Sequence, residues 1–397
     1  MQFSLMLPAE TVFGWGQFGA VGERARRFGT IVALARGGDS FERSGLRERT
    51  LSLLAAEGIS VIELPPQVRE PEPEDIDAAV AVAQQGGIQA VVAIGGGSVL
   101  DLGKAVAALT AQQPPLPVRA YLEDIGEGRV LTAAPLPLLA IPTTAGTGTE
   151  ATKNAVISSQ REGFKKSLRD PRMIPDLALI DPELTVSLPP HLTAWTGLDT
   201  LTQLIEAYTS ARAQPVTDAL ALRGLAAARA LPDAVAFGDH RQAREAMSFA
   251  AYLSGICLAN AGLGAAHAIA AAFGSMAPIG HGLACAIALP WVMAANLPVA
   301  AERYAHIAEV LTDDRFLDCD TAAHAAVRHV WWLLNTLGIP RAGDIPELAA
   351  ILTEAQLPAL AARCHGNSLR GNPRVLDDAD LITILRKLRD DERPFSL

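Results

Sequence analysis

The sequence predicts two parts in series: an α/β domain built on a parallel sheet over residues 1–187, and an all-helical domain over residues 188–397. Three observations carry this. Short apolar runs alternate with helical patterns in the first half, one such run opens directly into the glycines that start at Gly95, and alanine- and leucine-rich segments take over from about Leu188.

The strands of the first part are expected at residues 30–35, 61–64, 91–94 and 138–141, where β-branched and apolar residues cluster between helical patterns. The proline-rich stretch 182–190 supplies the boundary. Beyond it, helices are expected over 194–208, 215–230, 246–272, 283–297, 301–311 and 321–337, with Pro290 breaking or kinking the fourth.

Composition limits what such a chain does. Half of its 397 residues are apolar, enough for a large core and too much for a long disordered or fibrous chain. The formal charge is −10 with no basic block, which argues against nucleic acid as the main partner, because phosphate backbones are held by clustered Lys and Arg. No basic segment followed by a signal-like apolar core stands at the start, and apolar runs elsewhere are too short or interrupted to span a bilayer, so no membrane partner is expected. Cys257, Cys285, Cys319 and Cys364 are scattered and read as reduced, buried thiols, with a cytoplasmic location as the default.

Chemistry concentrates in three places. The run Val91-Val-Ala-Ile-Gly-Gly-Gly-Ser98, with Asp101 and Lys104 beyond it, is a buried strand feeding a glycine turn and a helix start. Small residues there let backbone N–H groups approach a phosphate, and the helix start favours negative charge. Ile141-Pro-Thr-Thr-Ala-Gly-Thr-Gly-Thr-Glu150 repeats the theme, with Thr143, Thr144, Thr147 and Thr149 offering hydroxyls among small residues. An ordinary strand-to-helix turn explains either segment alone, whereas two in one α/β domain favour a nucleotide.

The third place lies in the helical half, where Asp199 and Gln203 share one helix face and His267 and His281 are separated by a glycine- and alanine-rich connection. One Asp and two His hold a divalent metal. The plainer readings are a helix cap for Asp199, a hydrogen-bonded core histidine for His267 and a turn residue for His281.

These segments, with Ile174-Pro-Asp-Leu-Ala-Leu-Ile-Asp-Pro182, Gly197-Leu-Asp-Thr-Leu-Thr-Gln-Leu-Ile-Glu206, Asn260-Ala-Gly-Leu-Gly-Ala-Ala-His267, Pro278-Ile-Gly-His-Gly282 and Asn372-Pro-Arg374, run over nearly the whole chain. In that order they resemble the iron-containing, group III alcohol dehydrogenase family. The resemblance implies the dehydroquinate synthase-like architecture of that family, with catalysis in the cleft between the two domains. It implies that Gly95, Gly96, Gly97 and Ser98 hold the dinucleotide diphosphate, that Thr143, Thr144 and Thr147 line the same cofactor, that Asp101 is the motif acid, and that Asn154 and Lys165 line the nicotinamide end.

The family's usual metal set of one Asp and three His implies Asp199, His267 and His281 as ligands and catalytic residues, with Gln203 where the remaining histidine normally stands. An amide oxygen is a weaker donor than imidazole for iron or zinc. A further family histidine is replaced by Ala271, so proton transfer is expected through water, the cofactor ribose or another side chain. The implied reaction is hydride exchange between NAD or NADP and an alcohol or aldehyde polarised by iron or zinc.

The first strand leads into Ala35-Arg-Gly-Gly-Asp-Ser-Phe41. The resemblance sets Gly38 where an acid often discriminates against NADP; Asp39 would accept from an NAD ribose, whereas Arg36 would pair with the extra phosphate of NADP, and NAD is favoured. Phe164, Phe273 and Trp291 among alanines and leucines, without an evident Arg cluster, favour a small or medium primary alcohol and its aldehyde, with Arg363, Arg370 or Arg374 as the residues able to reverse that. Two alternatives stay open: a metal-independent, maleylacetate-like oxoacid reductase, and a catalytically silent dinucleotide-binding sensor or structural protein. A homodimer is compatible with all of these readings.

Overall fold

In the computed structural model, which describes residues 2–123, 125–159 and 161–395, the apolar runs of the first half become strands of one sheet. The strands are β1 (Glu10–Phe13), β2 (Ile31–Arg36), β3 (Ser60–Glu63), β4 (Ala90–Gly95), β5 (Leu138–Pro142), β6 (Asn154–Ser159), β7 (Phe164–Arg169) and β8 (Leu177–Ile180). Six of them stand in the order β1-β8-β5-β4-β2-β3, each neighbouring pair parallel. The other two, β6 and β7, form an antiparallel hairpin.

Every residue of β4 and β5 is buried, because both faces of the sheet are covered. Side chains alternate between two cores: Ala33, Ala35, Val91 and Ala93 enter one, and Val32, Leu34, Val92 and Ile94 the other. Strand β3 continues from β2 toward one edge, while β4 lies on the other side of β2 and leads to β5. The order therefore reverses between β2 and β4, and the carboxyl ends of those strands are where open α/β sheets receive ligands. β1, β6, β7 and β8 lie outside the four expected strands; β1 alternates half-buried and exposed positions and lacks a continuous apolar run such as those of β4 and β5.

The second half is helical, with helices Pro190–Thr209, Pro215–Ala228, Arg241–Ala261, Ala265–Met276, His281–Thr312 and Cys319–Thr336 dominating. The segment expected as one helix over 246–272 is two, bent by 97°. Gly262 makes the bend at φ 74°, a left-handed value that side-chain-bearing residues resist. The two helices expected over 283–297 and 301–311 are found on either side of a kink within the span His281–Thr312. The expected break at Pro290 does not occur; the non-helical residue is Ala300, two positions after Pro298.

His281–Thr312 is long and apolar enough to cross a membrane, but 72% of its apolar window is buried inside the protein, which makes it a core helix. The chain divides into two compact units, Met6–Leu188 and the helical remainder from Pro189, with the residues up to Leu5 clustering with the helical unit. Cys257, Cys285 and Cys364 are buried free thiols; Cys319, also expected inside, is exposed at the start of a helix.

Candidate functional site

At the carboxyl end of β4 the chain turns through Gly96, extended at φ −74°, into the helix Gly97–Thr110. The Thr143 N–H donates to the Gly95 carbonyl at 3.0 Å, tying the end of β5 to this turn. A Cβ on Gly96 would lie 3.4 Å from Thr144 Cγ2, and one on Gly97 only 2.7 Å from Thr147 Cγ2. The two glycine segments thus lie against each other at a helix N-terminus, where Gly95, Gly96, Gly97, Thr143, Thr144 and Thr147 come together and Ser98 follows in the first turn.

Asp101 and the Asn154 carbonyl lie beside the buried Lys104, and the charge of Lys165 also acts on Asp101. The Lys104 ammonium donates to Thr152 Oγ1 at 2.6 Å and to the Asn154 carbonyl at 3.2 Å. Burial lowers the Lys104 ammonium to about 8, partly offset by the charges of Asp101 and Glu150. Burial also raises Asp101 to about 7 against the pull of Lys104 and a hydrogen bond from the Val156 amide, and raises Glu150 to about 7. Lys165 pairs with Glu70. In the hairpin, Asn154 stands opposite Arg169 and Lys165 opposite Ser158, at different rungs of the ladder.

After β2, Arg36 is held by Glu63 at 2.9 Å and Glu42 at 3.2 Å, so its charge is already matched. Asp39 is 92% exposed and faces Arg43 at 3.8 Å. A Cβ on Gly38 would meet Val68 Cγ1 at 2.5 Å, so a side chain at this position requires Val68 to move.

In the helical unit, Asp199, Gln203 and Glu206 occupy one face of Pro190–Thr209 at i, i+4 and i+7, all buried. The bend at Gly262 delivers the first amides of Ala265–Met276 to Glu206, whose carboxylate accepts from Gly264 N at 2.9 Å, Ala266 N at 2.6 Å and His267 Nδ1 at 2.6 Å. With Nδ1 engaged, the Nε2 of His267 faces Asp199 Oδ1 at 3.3 Å. His281 arrives on the next helix, whose close approach depends on Gly282: a Cβ there would lie 2.3 Å from the Trp195 carbonyl and 3.3 Å from Asp199 Cβ.

Asp199, His267 and His281 converge with Cys285, one helical turn beyond His281, and one donor atom from each lies within 4.8 Å of all the others. Gln203, expected as a ligand, has its amide otherwise engaged: Nε2 donates to Asp199 Oδ2 at 3.2 Å and Oε1 accepts from Ser254 Oγ at 2.7 Å. Burial works against ionising Asp199, but the His267 hydrogen bond and the two imidazoles outweigh it and hold the carboxyl below its usual range. Burial likewise opposes charge on His267, and Cys285, Asp199 and Glu206 outweigh it, raising the imidazole well above its ordinary value. Burial pushes the Cys285 thiol up to about 11.

Two buried carboxylates therefore share one imidazole between them. One carboxylate, two imidazoles and a thiol at this spacing fit a divalent ion, whose charge would balance them. Cys285 and the role of Glu206 were missed from sequence; the i+4 spacing from His281 and the i+7 spacing from Asp199 were the available signals. Ala271 follows His267 by one turn and brings no titratable group.

The aromatic residues expected near substrate are core members: Phe164 and Phe273 are buried, and Trp291 packs on Trp331 while its Nε1 donates to the Glu392 carbonyl at 2.8 Å. Arg374 is engaged by Asp380 at 2.7 Å.

Comparison with known proteins covers both units. Residues 8–182 match the iron-containing alcohol dehydrogenase family and residues 193–389 the C-terminal part of the Fe-containing alcohol dehydrogenase family. The chain is 37% identical over 371 residues to the probable alcohol dehydrogenase EutG of Escherichia coli K12, covering 93% of this chain and 90% of that protein. It is 33% identical over 386 residues to the NAD-dependent methanol dehydrogenase of Bacillus methanolicus, covering 96% and 99%. The crystal structure of a 1,3-propanediol oxidoreductase superposes with a TM-score of 0.90 at 31% identity, covering 98% of this chain and 100% of that one.

Proposed function

The chain belongs to the iron-containing alcohol dehydrogenase family, and from that premise we propose that Asp199, His267 and His281 are the ion-holding residues of an NAD(P)-dependent enzyme that interconverts a small primary alcohol and its aldehyde. The observation that carries this reading is the convergence of Asp199, His267 and His281, from three separate helices, on one buried point. When bound, a divalent ion supplies the electrophile for an alcohol or carbonyl oxygen, and NAD(P) supplies the hydride chemistry.

The chain's own residues prepare both groups. Glu206 orients His267 so that Nε2 faces the ion position, and Gln203 steadies Asp199. Gly96, Gly97 and Ser98 admit the dinucleotide diphosphate to a helix N-terminus, with Thr143, Thr144 and Thr147 as neighbouring hydroxyls. Lys104 and Asp101 tie the helix Gly97–Thr110 to the hairpin that carries Asn154 and Lys165, the residues assigned to the nicotinamide end. NAD is favoured over NADP, because Arg36 is already matched by Glu63 and Glu42, and those carboxylates repel a ribose phosphate. A small primary alcohol or diol accords with the names of the methanol and 1,3-propanediol dehydrogenases among the relatives. A cytoplasmic homodimer completes the proposal.

The test couples elemental analysis to steady-state kinetics on the same samples, comparing C2 to C6 alcohols, their aldehydes, diols and oxoacids with both cofactors. We expect about one divalent ion per chain and the highest kcat/KM for an alcohol or aldehyde with NAD(H). Full turnover after verified metal removal, or a preference of more than about tenfold, roughly 1.4 kcal/mol, for an oxoacid over every aldehyde, would reject the assignment.

A further inference from the structure

We infer that the ion is completed by the thiolate of Cys285 and not by the amide of Gln203, giving a carboxylate, two imidazoles and one sulfur; the inference rests on the reading of Asp199, His267 and His281 as the ion site. Cys285 lies one turn after His281 on the same helix, and its Sγ is 3.6 Å from His281 Nε2. It is fully buried, and its sulfur belongs to the set of donor atoms that all lie within 4.8 Å of one another.

Gln203 is set up for another task. Its oxygen is bound to Ser254 and its nitrogen to Asp199. Turning the amide over would bring its oxygen against Asp199 Oδ2 at 3.2 Å, acceptor against acceptor. Gln203 thus holds the carboxylate in place from outside the coordination sphere, and the donor lost on the Asp199 helix is replaced from the His281 helix.

Ligation breaks the S–H bond, releases that proton to solvent and forms a metal–sulfur bond, without change of oxidation state. A soft sulfur donor shifts preference toward zinc or cobalt(II), relative to a set made only of nitrogen and oxygen. The chain is therefore expected to retain zinc more firmly than iron(II).

The full-length enzyme, stripped and reloaded with cobalt(II), reads this directly. We expect a near-ultraviolet thiolate-to-cobalt charge-transfer band that survives in Gln203→Ala and disappears in Cys285→Ser, with the latter losing at least about tenfold in zinc affinity. X-ray absorption of the unmodified zinc enzyme keeps the test independent of variant folding and should show one sulfur scatterer at about 2.3 Å. An ion bound at one per chain with only nitrogen and oxygen neighbours overturns Cys285 ligation and leaves the Asp199, His267 and His281 site standing. Unchanged ion content in a folded His267→Ala variant overturns that site and the inference with it.

Discussion

His267 donates its Nδ1–H to the Glu206 carboxylate at 2.6 Å across 61 residues of sequence, and this bond sets the direction of the ring. The same carboxylate accepts two or more amides at the start of the His267 helix, so one acid both caps that helix and aims Nε2 at Asp199.

Replacing Glu206 by Gln keeps the size and one acceptor oxygen but removes the charge that favours Nδ1–H. Zinc affinity should fall by about 10- to 100-fold, the usual effect of losing a group that orients a metal-binding imidazole. Competition against a chelator of known affinity measures it, with thermal unfolding run alongside. Unchanged affinity in a folded variant would assign Glu206 to capping alone.

Gly97→Ala brings a Cβ to within 2.7 Å of Thr147 Cγ2 and 3.0 Å of its Oγ1, in the cradle assigned to the dinucleotide. Affinity for NADH should drop at least about tenfold, or 1.4 kcal/mol, while ion content stays at its normal level because the ion ligands lie in the other unit. Adding Thr147→Ser removes the crowding methyl and should recover part of the loss. Fluorescence titration follows both variants, and full-strength binding by Gly97→Ala would exclude this turn from the cofactor site.

The buried Glu150 makes a pH prediction whose sign follows from its raised carboxyl. Burial favours the protonated form in the folded protein, up to about 7 against an ordinary 4.5. The folded chain therefore holds this proton more tightly than the unfolded chain, and the associated stability, complete below about pH 4.5, is lost as pH rises through 7. Between pH 5 and 8 the wild type should lose on the order of 2 kcal/mol more than Glu150→Gln, which has no proton to give up. Urea unfolding midpoints across that range test it, and parallel pH profiles would remove Glu150 as the source.

Much of this arrangement is legible in the residues themselves. The buried β-branched runs ending at Arg36, Gly95 and Pro142, and the glycines and threonines after them, are local patterns, because strand alternation and turn chemistry are written within a few residues. Asp199, His267 and His281 were suggested as a set by the family resemblance, because their spacing alone fits a helix cap, a core histidine and a turn residue equally well. The bend at Gly262 was not legible: alanine-rich helical patterning runs on either side of it, and only the packing of Ala265–Met276 against Glu206 requires the chain to turn there. Pro290 shows the converse, a local breaker that a well-packed helix absorbs while Ala300 takes the kink.

Gln203 and Cys285 mark the boundary between what sequence determines and what tertiary structure decides. Sequence placed Gln203 one turn after Asp199, on the correct face. The Asp199 carboxylate, which only accepts, turns the amide nitrogen toward itself, and the partner for the oxygen, Ser254, comes from 51 residues away, a contact that only the packed structure supplies. Cys285 shares a helix face with His281 by periodicity alone, but it looked like an ordinary core thiol until helix packing set that face against Asp199 and His267. Periodicity determines which side of a helix a residue occupies, since 3.6 residues per turn is a property of the backbone alone. The contacts that convert a face into a ligand set are made between helices, and their distances exist only after the core has closed around them.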